Sequence, residues 1–124
     1  MNDLRNQANV IVRAFVNVIN KRFKSSMPVP KVEFNVKGTT AGLAKYNEHV
    51  VDLNYQLYLE NSSHFFNDTI PHEVAHLAAV YIHGAKGIGH GKEWKVMMRL
   101  IGREPTRCHT LDVTNVKRRR NNER

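Results

Sequence analysis

The run Pro71-His72-Glu73-Val74-Ala75-His76 constrains this chain more than any other stretch. Two histidines four residues apart on a helix lie about 6 Å apart along its axis and point the same way, so both imidazoles reach one metal ion. Glu73, between them, is placed to hold and deprotonate a water on that ion rather than to ligate it. Leu77-Ala78-Ala79-Val80-Tyr81-Ile82 continues the helix with apolar residues on nearly every face, which marks it as buried in the middle of the domain. Two histidines and a glutamate are costly to bury there unless they share a partner. The competing explanation is a pair of core histidines with ordinary hydrogen bonds.

A hydrolytic metal site takes three protein ligands and keeps a fourth position open. His83 and His90 are the candidates for the third. On a straight helix His83 lies roughly 10 Å beyond His76 and cannot share the ion. It reads instead as a partly exposed residue near a helix C-terminus. His90 follows the glycine-rich stretch Gly84-Ala85-Lys86-Gly87-Ile88-Gly89, where the chain can swing back over the motif, and is the preferred ligand.

The surrounding chain predicts an α+β domain. In residues 3–24, Leu4, Ala8, Ile11, Phe15, Val18, Ile19 and Phe23 recur at helical steps and predict one buried stripe. Met27-Pro28-Val29-Pro30 breaks that helix. Val32, Phe34 and Val36 alternate with polar residues as in a half-buried strand. Further short strands are expected in residues 41–46 and 49–54, joined across Asn47-Glu48 with Asn47 in the left-handed region, giving an antiparallel sheet of about three strands. Residues 55–60 suggest one or two helical turns. Asp68 is the expected cap of the motif helix, which leaves Pro71 within its first turn, and Gly84 is expected to end it. A further helix carries Trp94, Met97, Met98 and Ile101 inward and stops at Gly102. Leu111 and Val113 suggest a last strand. The domain is expected to span residues 1–116, followed by a basic, disordered tail at 117–124.

At 124 residues and 41% hydrophobic, the chain is large enough for a single core. Its net charge of +8 points to a polyanionic partner, with nucleic acid ahead of a membrane surface. Lys117, Arg118, Arg119 and Arg120 are candidates for nonspecific phosphate contact, the alternative being a solvated end without a role. Trp94 could stack on a single-stranded base, but its spacing with Met97, Met98 and Ile101 favours the core. The single cysteine, Cys108, permits no intrachain disulfide. With a polar N-terminus that resembles neither a signal peptide nor a membrane span, it suggests an intracellular protein in the cytoplasm or on the nucleoid. No membrane partner is expected, and a monomer is. The glycine-rich stretch lacks the spacing of a phosphate-binding loop. Its composition suggests a mobile gate.

Pro71-His72-Glu73-Val74-Ala75-His76-Leu77, His90-Gly91-Lys92-Glu93-Trp94-Lys95 and Met97-Met98 resemble the SprT-like family, which includes the eukaryotic Spartan proteases. Gly38-Thr39-Thr40-Ala41-Gly42, Leu53-Asn54, Leu59-Glu60-Asn61 and Arg107-Cys108-His109 are similar to that family in order and spacing. The resemblance implies a zincin-like metalloprotease core with one zinc ion per chain, its motif helix under a small sheet. It also implies that the histidine of the His-Gly-x-x-Trp segment, His90 here, is the third ligand. Eukaryotic members degrade proteins trapped covalently on DNA, in a DNA-dependent manner. Many bacterial members continue into a cysteine-rich zinc ribbon, for which this sequence has too few cysteines, so DNA contact is expected from the core or the tail.

The expected chemistry is peptide-bond hydrolysis in a protein substrate, with His72, His76 and His90 holding zinc and Glu73 moving the proton. Tyr46, Tyr81 and His109 are candidates for oxyanion or substrate contacts, although packing explains both tyrosines as well. A substrate backbone could pair with an exposed strand edge. Two alternatives stand beside this reading: a non-catalytic DNA-binding module with a structural zinc, and a peptidase with no DNA role.

Overall fold

A computed structural model describes residues 3–105. Helix α1 (Leu4–Phe23) opens at Asp3, whose carboxylate accepts from the Asn6 amide at 2.9 Å and satisfies one of the helix's free donors. Its buried face is Ala8, Val12, Val16 and Ile19, with Leu4, Ile11, Phe15 and Phe23 partly covered beside them. Val18, expected in the stripe, is 43% exposed. The stripe is centred on Val12 and Val16, and Val18 lies two residues, about 200° of helical turn, from Val16.

Three short strands follow: β1 (Lys31–Glu33), β2 (Gly42–Lys45) and β3 (Val50–Leu53), in the order β1-β3-β2. The expected antiparallel pairing holds for β2 with β3. β1 instead runs parallel to β3, with Lys31 opposite Val50, so the sheet is mixed. This follows from the path of the chain, because the β2–β3 hairpin returns β3 between its predecessors. The hairpin turn occupies residues 46–49, and its left-handed residue is His49 (φ 60°) rather than Asn47. His49 Nε2 lies 2.7 Å from the Pro28 carbonyl oxygen, which anchors the turn to the loop before β1.

Asp52 joins the three strands from inside. Its buried carboxylate accepts from the Asn35 amide at 2.7 Å and pairs with the Lys45 ammonium at 2.9 Å. The hydrogen bond and charge of Asp52 raise the Lys45 pKa above its ordinary value. Asn54, buried at the end of β3, donates to the carbonyls of Gly38 and Thr40 and accepts from the Leu57 amide, capping α2 (Tyr55–Glu60).

The motif helix starts further upstream than the sequence suggests. A short helix α3 (Ser62–His64) continues through a π-helical turn (Phe65–Thr69) into α4 (Ile70–His83). Asp68 is therefore not a cap; it lies inside that wide turn, 3.3 Å from His64 Nε2. Proline in a helix interior lacks a donor and crowds the carbonyl four residues back. The widened turn just before Pro71, in which the Ile70 amide reaches the Phe65 carbonyl, relieves both problems without ending the helix. α4 is buried continuously from Ile70 to Ala79, and Gly84 (φ 66°) ends it as expected.

Beyond Gly84, residues Gly84–Gly87 form a 3-10 turn packed on α4. α5 (Lys92–Leu100) follows, with Trp94, Met97, Met98 and Ile101 all buried. It closes at Gly102, where the Arg103 amide reaches the Met98 carbonyl and the Gly102 amide reaches that of Arg99. The core therefore sits around α4, between α1 and α5 on its helical sides and the sheet on another. Among the described residues no helix is long and apolar enough to cross a membrane.

Candidate metal centre

Helical periodicity and one glycine together bring the three histidines to a point. His72 and His76 lie one turn apart on the buried N-terminal half of α4. His90 arrives from the other direction, because the turn before it lies flat against α4. A Cβ on Gly87 would sit 2.2 Å from the Ala79 carbonyl oxygen and 2.7 Å from the Val80 amide nitrogen. Only glycine allows the two backbones this close, and that approach sets the start of α5 over the motif. In the stretch where composition suggested a gate, Gly87 is packed on α4 while its neighbours Ala85, Lys86 and Ile88 are exposed.

The Nε2 atoms of His72, His76 and His90 form a triangle with each side 3.1 Å. Each ring nitrogen presents one in-plane proton or one lone pair, so three that converge on a common point are poorly served by protons shared along the edges. A single cation receives all three lone pairs. The edge of a tetrahedron with metal–nitrogen bonds of 2.0–2.1 Å is about 3.3 Å, close to the observed sides. Three corners are thus supplied by the chain, and these residues fit a metal ion.

Trp94 walls this centre. It is wholly buried, its ring stacked on His76 (centroids 5.3 Å apart, planes at 20°) and edge-on to His72 and His90 at 4.8 and 4.7 Å. Its indole N–H donates to the His72 carbonyl oxygen at 3.2 Å. One side chain therefore touches all three ligand rings and ties α5 to the backbone of the motif. The sequence marked Trp94 as core; its place four residues after His90 is the signal that connects it to the ligands. Position 94 is also unsuited to stacking on a nucleic-acid base.

Glu73 is 5% exposed and lies beneath β2. A Cβ on Gly42 would come within 3.3 Å of Glu73 Cγ, of the Asp52 carbonyl oxygen and of Leu53 Cδ2, so the first residue of β2 has to be small for the sheet to lie over the carboxylate. In the sequence Gly42 stands out only as the last residue of Gly38-Thr39-Thr40-Ala41-Gly42, with no sign of this packing role.

The remaining candidates fall in different places. The Tyr46 ring is edge-on to His76 with centroids 6.5 Å apart, which brings it to the rim of the centre. Tyr81 is 47% exposed and about 180° around α4 from His72. His83 is exposed and contacts Phe23 edge-on, away from the triangle. His109, Cys108, Leu111, Val113 and the basic residues Lys117, Arg118, Arg119 and Arg120 lie outside the described residues.

A sequence model of the SprT-like family matches residues 12–117. Protein SprT of Pseudomonas aeruginosa (strain LESB58) is 42% identical over 106 residues, covering 85% of this chain and 64% of its own length. Protein SprT of Pseudomonas fluorescens (strain SBW25) is 44% identical over 92 residues, covering 73% of this chain and 56% of its own. The chain thus spans less than two thirds of the curated relatives it matches. No solved structure matches it.

Proposed function

The chain belongs to the SprT-like family, and from that premise we propose that it is a zinc-dependent peptidase that cleaves proteins associated with or crosslinked to DNA. The observation that carries the zinc reading is the triangle of His72, His76 and His90 Nε2 atoms, which matches the nitrogen donors and tetrahedral spacing that zinc prefers. Bound there, zinc supplies a Lewis acid that polarises a substrate carbonyl and lowers the pKa of a coordinated water toward neutrality.

The chain's own residues do the rest. Glu73, one residue after His72 and held under β2, takes the proton from the attacking water and passes it to the departing amine. Its burial shields the reaction from bulk solvent. Trp94 fixes the ring planes of the three histidines that would hold the ion. Tyr46, whose ring is edge-on to His76, is the candidate for a substrate contact in this reading. A purely structural metal site needs no buried carboxylate between its ligands, which favours the enzyme over the non-catalytic module.

DNA as the setting rests on the net charge of +8 and on the family resemblance. The test is cleavage of a basic protein substrate by wild type and Glu73→Gln, each loaded with zinc, with and without single-stranded DNA. Glu73→Gln should retain zinc and lose activity on the order of 10²–10⁴-fold. Equal activity in both proteins would refute the peptidase, and wild-type activity indifferent to DNA would refute the DNA-coupled form.

A further inference from the structure

α5 has two faces. Trp94, Met97 and Met98 are buried against α4, while Lys92, Lys95 and Arg99 are exposed on the other side. Lys92 and Arg99, seven residues apart, fall within about 20° of each other around the helix and about 10 Å apart along it, with Lys95 between them. Among the described residues none of the three takes part in an ion pair. The only acid on the helix, Glu93, is half-buried in its first turn, where it complements the helix dipole. Past the helix end stand Arg103, whose guanidinium lies over the Phe15 ring of α1 at 5.5 Å, and the exposed Glu104, so the net positive face is that of α5 itself. Between Asp3 and Glu33 the sequence has no acidic residue, so the α1 side adds no opposing charge.

We propose that this exposed face of α5, through Lys92, Lys95 and Arg99, docks the phosphodiester backbone of nucleic acid on the outer side of the helix that walls the metal centre. Three cations along about 10 Å match the run of backbone phosphates, spaced at about 3.4 Å per strand along a duplex axis. The helix begins two residues after His90, and its inner side walls the histidine triangle through Trp94, so a backbone held on its outer face is one helix away from the metal centre. A membrane surface fits less well. Interfacial helices lay a broad apolar face into the lipid, and that face of α5 is already in the core, leaving Val96 as its exposed large apolar residue. Such docking is sequence-independent, since phosphate contacts position a strand without reading its bases.

The proposal deepens the nucleic-acid part of the proposed function, and its test measures binding without turnover, so the failure of either is distinguishable from that of the other. The probe is a labelled mixed-sequence oligonucleotide, single-stranded and as a duplex, titrated with the zinc-loaded full chain across a range of salt. The variant Lys92→Gln/Lys95→Gln/Arg99→Gln should weaken binding at least about tenfold at low salt. Its log–log salt slope should be shallower by about 2 for the single strand and nearly 3 for the duplex. Zinc content and melting temperature serve as folding controls. Should the triple variant fail to fold, Lys95→Gln and Arg99→Gln alone should each reduce the slope by just under 1. Wild-type affinity and slope in the α5 variants, with binding lost in Lys117→Gln/Arg118→Gln/Arg119→Gln/Arg120→Gln, would overturn the proposal. So would α5 variants that lose binding to phosphatidylserine vesicles but keep oligonucleotide affinity.

Discussion

Two buried polar clusters lie within this small core, and they are held by opposite logic. On the sheet, the Asp52 carboxylate is matched by groups the chain itself provides, the Lys45 ammonium and the Asn35 amide. Under the sheet, His72, His76 and His90 aim three bases at one another. The first cluster is complete within the polypeptide. The second has the geometry of a site for a cation, and if zinc is held there the stability of the domain is coupled to metal through α4 and α5.

Chelation gives the sharpest contrast between them. For a site saturated a thousandfold above its dissociation constant, removing zinc should cost about 4 kcal/mol. In thermal unfolding this corresponds to a fall of roughly 15 °C for a domain of this size. Asp52→Ala should melt lower than wild type but show the same chelator-induced drop. A wild-type melting point unaffected by chelator would break the comparison.

Gly87→Ala comes next. A methyl group 2.2 Å from the Ala79 carbonyl oxygen forces the 3-10 turn off α4, an overpacking cost of about 3 kcal/mol. Because the turn delivers His90, zinc affinity should fall as well, and calorimetric titration with zinc would show it. An alanine variant with wild-type zinc binding would mean that the turn is not what places the ligand.

Asp52→Ala removes the partner of one amide and one ammonium, and should destabilise the fold by about 2 kcal/mol in denaturant melts. Lys45 keeps access to water, which limits the loss. Zinc stoichiometry should be unchanged. Trp94→Phe is the smallest of the series, keeping most of the ring contact with the ligands while deleting the indole donor to the His72 carbonyl. The lost hydrogen bond contributes about 1 kcal/mol, seen as a matching loss of stability with a modestly weaker zinc affinity.

The sequence made the metal half far more legible than the sheet half. Residues four apart on one helix have a fixed geometry, so the His72–His76 spacing carries its structural meaning with it. His90 followed from eliminating His83, and the structure brings it to the triangle. The end of α4 at Gly84 was equally visible, because a glycine at positive φ leaves a local mark. The start of α4 was not. The π-helical turn at Phe65–Thr69 has no compositional signature, and Pro71 read more naturally as a helix start than as an interior residue accommodated by a wider turn. The parallel pairing of β1 with β3 depends on where a later hairpin comes to rest, which no local alternation encodes. On α1, six of the seven expected residues pack in or against the core, and the difference lies among the valines: Val12 and Val16 face inward with Ala8 and Ile19, whereas Val18 faces out, and residue type alone does not separate them. Gly87 illustrates a further limit. A glycine required for close approach looks, in sequence, the same as one that confers flexibility.

His72, His76 and His90 are expected together to hold one zinc ion, with no part for His83. Zinc bound per chain, measured by elemental analysis of desalted wild type, His90→Ala and His83→Ala, tests it most directly. One zinc is expected in wild type and in His83→Ala, with near-complete loss in His90→Ala. Zinc retained by His90→Ala and lost from His83→Ala would contradict it.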